Sequence, residues 1–215
     1  MAVVIGALAL VMLRSAPSTP NGKVKKDPAL GAVVWVVVLG GAILLIGFMA
    51  EQSTEAWSAL HLERTLGAGA VGGALGPTLL GATMALGRFG GQIIVNRVGP
   101  MKVILIASSV SALGAFMAAA APALSVAYAG FIILGFGVSV VAPMCFVIVG
   151  RAVTDETRTK AISRVTAFGY AGFFIGPPIM GYWAEWQGLD ASFAFVGAAL
   201  LLIPLLAWAL SKRAE

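Results

Sequence analysis

The sequence predicts an all-α membrane protein of six transmembrane helices, preceded by part of another, and three observations carry that prediction. The chain is 60% hydrophobic and only 11% charged, with a mean hydropathy of +0.97, whereas a soluble domain carries roughly 25% charged residues. Its apolar runs are about 20 residues or longer. Lipid admits only helices and closed barrels, and barrel strands would be about 10 residues long with strict alternation. Finally, the basic residues fall in every second loop, as they do when a chain crosses a membrane repeatedly.

The elements follow in order. Residues 1–13 (MAVVIGALALVML) are apolar but too short to span comfortably. No basic segment precedes them and no clean small-x-small cleavage site follows, as a signal peptide would require. They are read, as residues 1–14, as the end of a preceding transmembrane helix. Residues 15–29 (SAPSTPNGKVKKDPA) are polar and rich in Pro and Lys, a composition that disfavours a packed element, and are read as a cytoplasmic linker. Residues 30–215 form the six-helix domain. Its spans fall at approximately 30–50, 67–95, 101–121, 124–150, 162–184 and 190–210, each long enough for a hydrocarbon core of about 30 Å.

Charge placement orients these spans. Arg14, Lys23, Lys25 and Lys26 precede the first; Arg97 and Lys102 lie between the second and third. Arg151, Arg158, Lys160 and Arg164 lie between the fourth and fifth, and Lys212 and Arg213 follow the last. The opposite loops hold Glu51, Glu55, Glu63, Glu185 and Asp190, with Arg64 as their basic residue. With Arg88 near the same end as Arg97, 13 of the 14 Lys and Arg fall on one side. The positive-inside rule makes that side cytoplasmic and puts the C-terminus there. The net charge of +5 then expresses topology and is no sign of nucleic-acid binding.

Chemistry-bearing residues are few. The lone Cys145 lies in an apolar span and reads as a small packing residue. The single His61 lies in an expected outer loop, where it should be solvated. No Cys/His metal spacing, nucleophile–base–orienter set, HExxH or phosphate loop occurs in the sequence, so no catalytic residue, metal site or cofactor is expected.

Residues 87–104, GRFGGQIIVNRVGPMKVI, resemble the signature loop of major facilitator superfamily transporters, which runs roughly G-x-x-x-D-R-x-G-R-R/K. Arg97, Gly99 and Lys102 match. Gln92 stands at the usual Gly, Asn96 at the usual Asp, and Pro100 and Met101 at the usual basic pair, so the motif is weakened. MAEQSTEAWSALHL (49–62) is similar to an E-G-A-x-x-D-W-S stretch in a bacterial subgroup of that family. Glu51, Trp57 and Ser58 match it; Ala56 replaces its Asp. GFGVSVVAPMCF and GYAGFFIGPPIMGYWAE also resemble helices of that subgroup. The resemblance implies half of a major facilitator fold: the end of helix 6, the central linker and helices 7–12. It further implies a cytoplasmic gate loop made of Arg88, Gln92, Asn96, Arg97, Gly99 and Lys102.

The residues also have readings of their own. Glu51, Thr54, Glu55 and Ser58 fall at i, i+3, i+4 and i+7 and make one polar face at the outer end of the first span. That face suits a substrate or proton pathway, or an ordinary solvated helix end. Arg88 lies deep enough to need a partner, hydration or a route back to the headgroups; a gate residue and a snorkelling residue both fit. Pro143 frees the carbonyl of Ser139, so a kink is expected there, and Ser139 joins the pathway candidates because transporter sites lie beside interrupted helices. Gly169, Gly172 and Gly176 line one helix face and invite close packing. Pro177 and Pro178 should kink or break that helix, giving either passive packing or a hinge.

The function expected is that of the C-terminal half of a secondary active transporter. It would move a small molecule across a bacterial inner membrane, with proton coupling, and would work with an N-terminal half or a second copy in the lipid bilayer. The alternative is a non-transporting truncated or scaffold membrane protein.

Overall fold

The structure, a computed structural model, describes residues 30–214, with side chains described at all but 30, 32, 91–96, 213 and 214. The expected preceding helix (1–14) and cytoplasmic linker (15–29) lie outside the described residues.

Seven helical segments follow one another without a strand among the described residues: α1 (Leu30–Arg64), α2 (Ala70–Val98), α3 (Pro100–Ala119), α4 (Leu124–Val138), α5 (Val141–Ala152), α6 (Asp155–Leu200) and α7 (Leu202–Ala214). By length and composition they make five stretches able to cross a membrane, the last of 58 residues. Straight, that stretch would be about 87 Å long at 1.5 Å per residue, far more than a bilayer. It folds back at Gly188, whose φ of 87° and ψ of 168° interrupt the helix. The Trp183 and Phe195 rings stack at 5.5 Å across the bend, and the Ser192 hydroxyl donates to the Met180 carbonyl at 3.2 Å. The five stretches therefore supply six crossings.

Three boundaries differ from the sequence expectation. The first helix does not end near residue 50 but continues to Arg64. EQSTEAWSALHLER is too polar to read as membrane, yet it is rich in helix formers and packs on its neighbours. The fourth span is two helices, α4 and α5, separated at Ser139 and Val140; Pro143 sits in the first turn of α5, where its missing N–H costs little. Pro177 and Pro178 were expected to kink or break their helix. The backbone stays helical through both, and the break comes at Gly188, where the left-handed φ suits glycine.

Glycines decide how closely the helices approach. A Cβ on Gly114 would meet the Gly130 carbonyl oxygen at 2.6 Å, and one on Gly130 would meet the Gly114 oxygen at 2.8 Å, so α3 and α4 cross backbone to backbone. Ser111 seals that crossing by donating to the Leu134 carbonyl at 2.6 Å. The second seam joins α1 to α6. There a Cβ on Gly169 would meet Leu44 Cβ at 2.5 Å, one on Gly172 would strike the Leu45 carbonyl oxygen, and one on Gly176 would meet Ser53 Oγ at 2.7 Å. Van der Waals contact, the main attraction between helices in lipid, is greatest where side chains are smallest. Between α2 and α3 the chain reverses in one residue: Gly99 has φ 86° and Pro100 starts the next helix.

Candidate functional site

The α4–α5 break opens onto α1 and α2. A cavity of about 120 Å³ lies there, lined by Leu44, Gly47, Phe48 and Glu51 of α1, Arg88 of α2, Val138 and Ser139 at the end of α4, and Val141, Ala142 and Pro143 of α5. Residues expected separately at an outer helix end, a cytoplasmic gate and a helix interruption thus meet in one place.

Its centre is an ion pair. Arg88 Nη2 donates to Glu51 Oε1 at 3.4 Å, linking residues 37 apart in the chain. Glu51 is not at the outer end of its helix: α1 runs on to Arg64, about 20 Å further at 1.5 Å per residue. Arg88 lies about 15 Å from the Val98 end of α2. The two meet well inside the bundle, where each charge requires the other. The pair is lopsided. The arginine side chain is 57% exposed and the glutamate side chain 18%, so the guanidinium stands at the cavity surface with the carboxylate tucked behind it.

The local sequence explains the placement. At the neighbouring residue, Gly87, a Cβ would strike Ser139 Oγ and meet the Phe136 carbonyl oxygen at 3.1 Å. Glycine lets α2 press on the end of α4 while the next residue carries the arginine into the cavity. Ser139 donates to the Phe136 carbonyl at 2.7 Å, which satisfies an acceptor at the frayed end of α4. Phe48, also on the cavity wall, stacks on Phe173 at 4.6 Å and Tyr170 at 5.2 Å, and those two rings lie 5.5 Å apart.

Of the other pathway candidates, Thr54 is buried and Glu55 is exposed. Ser53, Thr54 and Ser58 are buried hydroxyls without a protein partner among the described residues. Of the gate-loop candidates, Arg97 and Lys102 are exposed and Gly99 makes the turn. Gln92 and Asn96 lie on α2, their side chains outside the described residues. Gly169, Gly172 and Gly176 lie in the α1–α6 seam; Pro177 accepts at 3.1 Å from the Trp57 indole N–H.

His61 was expected in solvent and is buried, at 1% exposure. Helix α1 extends far enough to carry it against the paired Phe131 and Phe193 rings. Its Nε2 lies 3.0 Å from the Ala118 carbonyl; a carbonyl only accepts, so Nε2 bears the proton. Its Nδ1 faces Asp190 Oδ1 at 3.5 Å. Sequence reading missed this contact because it depends on the Gly188 reversal, which brings Asp190 back to α1.

The Major Facilitator Superfamily profile matches residues 43–215. An uncharacterised MFS-type transporter of Yersinia pestis is 33% identical over 178 residues, covering 83% of this chain and 46% of that protein. The membrane protein MosC of Rhizobium meliloti is 27% identical over 167 residues, covering 78% of this chain and 41% of its own length. The chain thus spans less than half of these relatives. Among solved structures, the E. coli fucose:proton symporter FucP superposes with a TM-score of 0.69 at 16% identity, over 97% of this chain and 54% of that one. A peptide transporter (POT) gives 0.75 at 14%, over 82% and 38%. At such identities these two show the fold alone. The family profile, covering most of the chain, and the helical membrane fold place this integral membrane protein in the major facilitator superfamily.

Proposed function

We propose that this chain is the C-terminal half of a proton-coupled secondary transporter of a bacterial inner membrane, with its C-terminus in the cytoplasm. The observation that carries this reading is the Arg88–Glu51 pair at the wall of a cavity beside a broken helix. A carboxylate held by one arginine can take up a proton and let the arginine go, which changes the charge of the cavity and its contacts together. Gln92, Asn96 and Arg97 near the end of α2, the Gly99 turn and Lys102 at the start of α3 make the cytoplasmic gate beneath it, and Thr54 and Ser139 add hydroxyls to the pathway. The wall is one side of a cavity; an N-terminal half, or a second copy, supplies the other. Phe168 and Phe174 on α6, at 48% and 79% exposure, are apolar surface for that partner or for lipid.

Two measurements test this. Single cysteines at Thr65 and Thr159, in a Cys145→Ala background, should react oppositely with an impermeant maleimide in intact cells: Thr65→Cys labelled, Thr159→Cys protected. The reverse pattern would invert the orientation. For coupling, the chain is reconstituted with the corresponding N-terminal half of its Yersinia pestis relative in vesicles loaded with a pH-sensitive dye, and a panel of small metabolites is added outside. At least one compound should drive proton entry, and Glu51→Gln should abolish that flux while leaving substrate exchange. Uptake indifferent to a protonophore would refute proton coupling.

A further inference from the structure

We propose that the cavity selects small organic carboxylates that bear a ring or bulky apolar group: the guanidinium of Arg88 takes the carboxylate, and Phe48, backed by Tyr170 and Phe173, takes the ring. This rests on reading the cavity as a substrate-facing wall.

The charge asymmetry decides the sign of the ligand. A cavity holding one arginine and one glutamate has no net charge, so composition alone is silent between anion and cation. Exposure is not: the guanidinium is 57% exposed and the carboxylate 18%. An incoming ligand meets the cation first. The existing bond is a single contact at 3.4 Å, long for a charge-assisted hydrogen bond, and Glu51 is the only protein acceptor of Arg88 among the described residues. A planar guanidinium offers five N–H donors in a fork that matches a carboxylate, so most of its donors remain for a ligand. A cation would have to pass Arg88 to reach Glu51.

The second group follows from the aromatic panel. Phe48 lies one turn from Glu51 on α1 and reaches the same cavity. Its stacked contacts with Phe173 and Tyr170 hold the ring in place, which lowers the entropy lost on binding. The rest of the wall joins the Ser139 hydroxyl to the hydrocarbon of Leu44, Val138, Val141, Ala142 and Pro143, so an apolar body beside the charged head meets mostly apolar side chains.

A bound carboxylate would leave Arg88 facing two anions, itself and Glu51. Glu55, one turn further along α1 and exposed, is the other charge near that carboxylate, and it too is negative. Taking up a proton at Glu51 removes the excess charge, so ligand and proton enter the site together.

The test needs no transport. The 215-residue chain is placed in lipid nanodiscs, and saturation-transfer NMR, which detects millimolar binding, ranks benzoate, cyclohexanecarboxylate, acetate and benzylammonium. Benzoate and cyclohexanecarboxylate should bind at least tenfold more tightly than acetate, and benzylammonium should not compete. Arg88→Gln should weaken benzoate at least tenfold. Glu51→Gln should strengthen it, because the rival acceptor has gone. Phe48→Leu should narrow the benzoate-to-acetate ratio. Benzylammonium binding better than benzoate, or no benzoate signal from the wild-type chain, overturns the proposal without recourse to any variant. Because no proton gradient is involved, benzoate binding can succeed where proton coupling fails, and the reverse, so the two failures are told apart.

Discussion

Helix α1 has two sides that obey opposite rules. Toward α6 it meets Gly169, Gly172 and Gly176, and the two backbones lie so close that an added methyl group has nowhere to go. Toward α2 and the α4–α5 break it borders a cavity with an arginine, a glutamate and a hydroxyl. The first side is a fixed seam along the membrane-spanning part of α1; the second packs closely only near the Arg64 end, at Gly73 and Gly76, and opens at the cavity, where one long ion pair bridges it. Under the transport role proposed above, both would serve: the rigid seam would let the helices move as one body, and the weak pair would be the part that ligand and proton rearrange.

The sharpest way to break this contrast is to fill the seam. Gly172→Leu would drive its side chain into the Leu45 carbonyl and the Met49 N–H. We expect a loss of about 3 kcal/mol or failure to fold, as overpacking of a tight contact produces, read by thermal melting in detergent. Gly31→Leu, with nothing within 4 Å of its Cβ, should change the midpoint little. Equal tolerance at the two positions would show that the seam is not tight.

A smaller effect is expected at the reversal. Gly188→Ala places a side chain at φ 87° and should cost about 1–2 kcal/mol through backbone strain. Pro177→Ala, inside continuous helix, should be neutral or slightly stabilising, because it restores an N–H to the helix. Greater damage from Pro177→Ala would move the hinge back to the proline pair.

The open wall should yield single-site losses no larger than the reversal's, and a smaller coupling term. Arg88→Ala leaves Glu51 inside the bundle without its partner and should destabilise by about 1–2 kcal/mol. Adding Glu51→Gln should return part of that loss, with a coupling energy of about 1 kcal/mol in a double-mutant cycle. Additive losses would mean that the two residues do not interact. Arg88→Lys sharpens the point: an ammonium keeps the charge but lacks the fork, so stability should recover more fully than benzoate binding.

The six crossings are legible in the sequence because lipid demands long apolar runs, and each run announces itself without reference to the others. The facilitator identity is legible from the Arg97–Gly99–Lys102 turn and the Glu51–Trp57–Ser58 stretch. The extent of α1 is only partly legible: the i, i+3, i+4, i+7 spacing of Glu51, Thr54, Glu55 and Ser58 marks a helical end, but residues 51–64 carry four charged side chains and a histidine and so read as lying outside the membrane. Their helix is stabilised by partners on α2, α3 and α6 that no local pattern reveals. The same error put Glu51 at the surface and His61 in water. The site itself depends on Arg88 meeting Glu51 across 37 positions, a relation set by how α1 and α2 pack. Gly87 beside Arg88 carried a signal for it: a glycine next to a deep charge marks a helix that must touch and reach at once.

The bend at Gly188 also bears on how the protein enters its membrane. The two arms of α6 lean on each other: Trp183 stacks on Phe195, the Ser192 hydroxyl reaches the Met180 carbonyl as well as that of Gly188, and Asp190 meets α1 through His61. The last two crossings are one hairpin, and biogenesis must deliver them as a pair. A chain interrupted between them would leave Trp183 without Phe195 and His61 without Asp190, so the bundle closes only when both arms are in place.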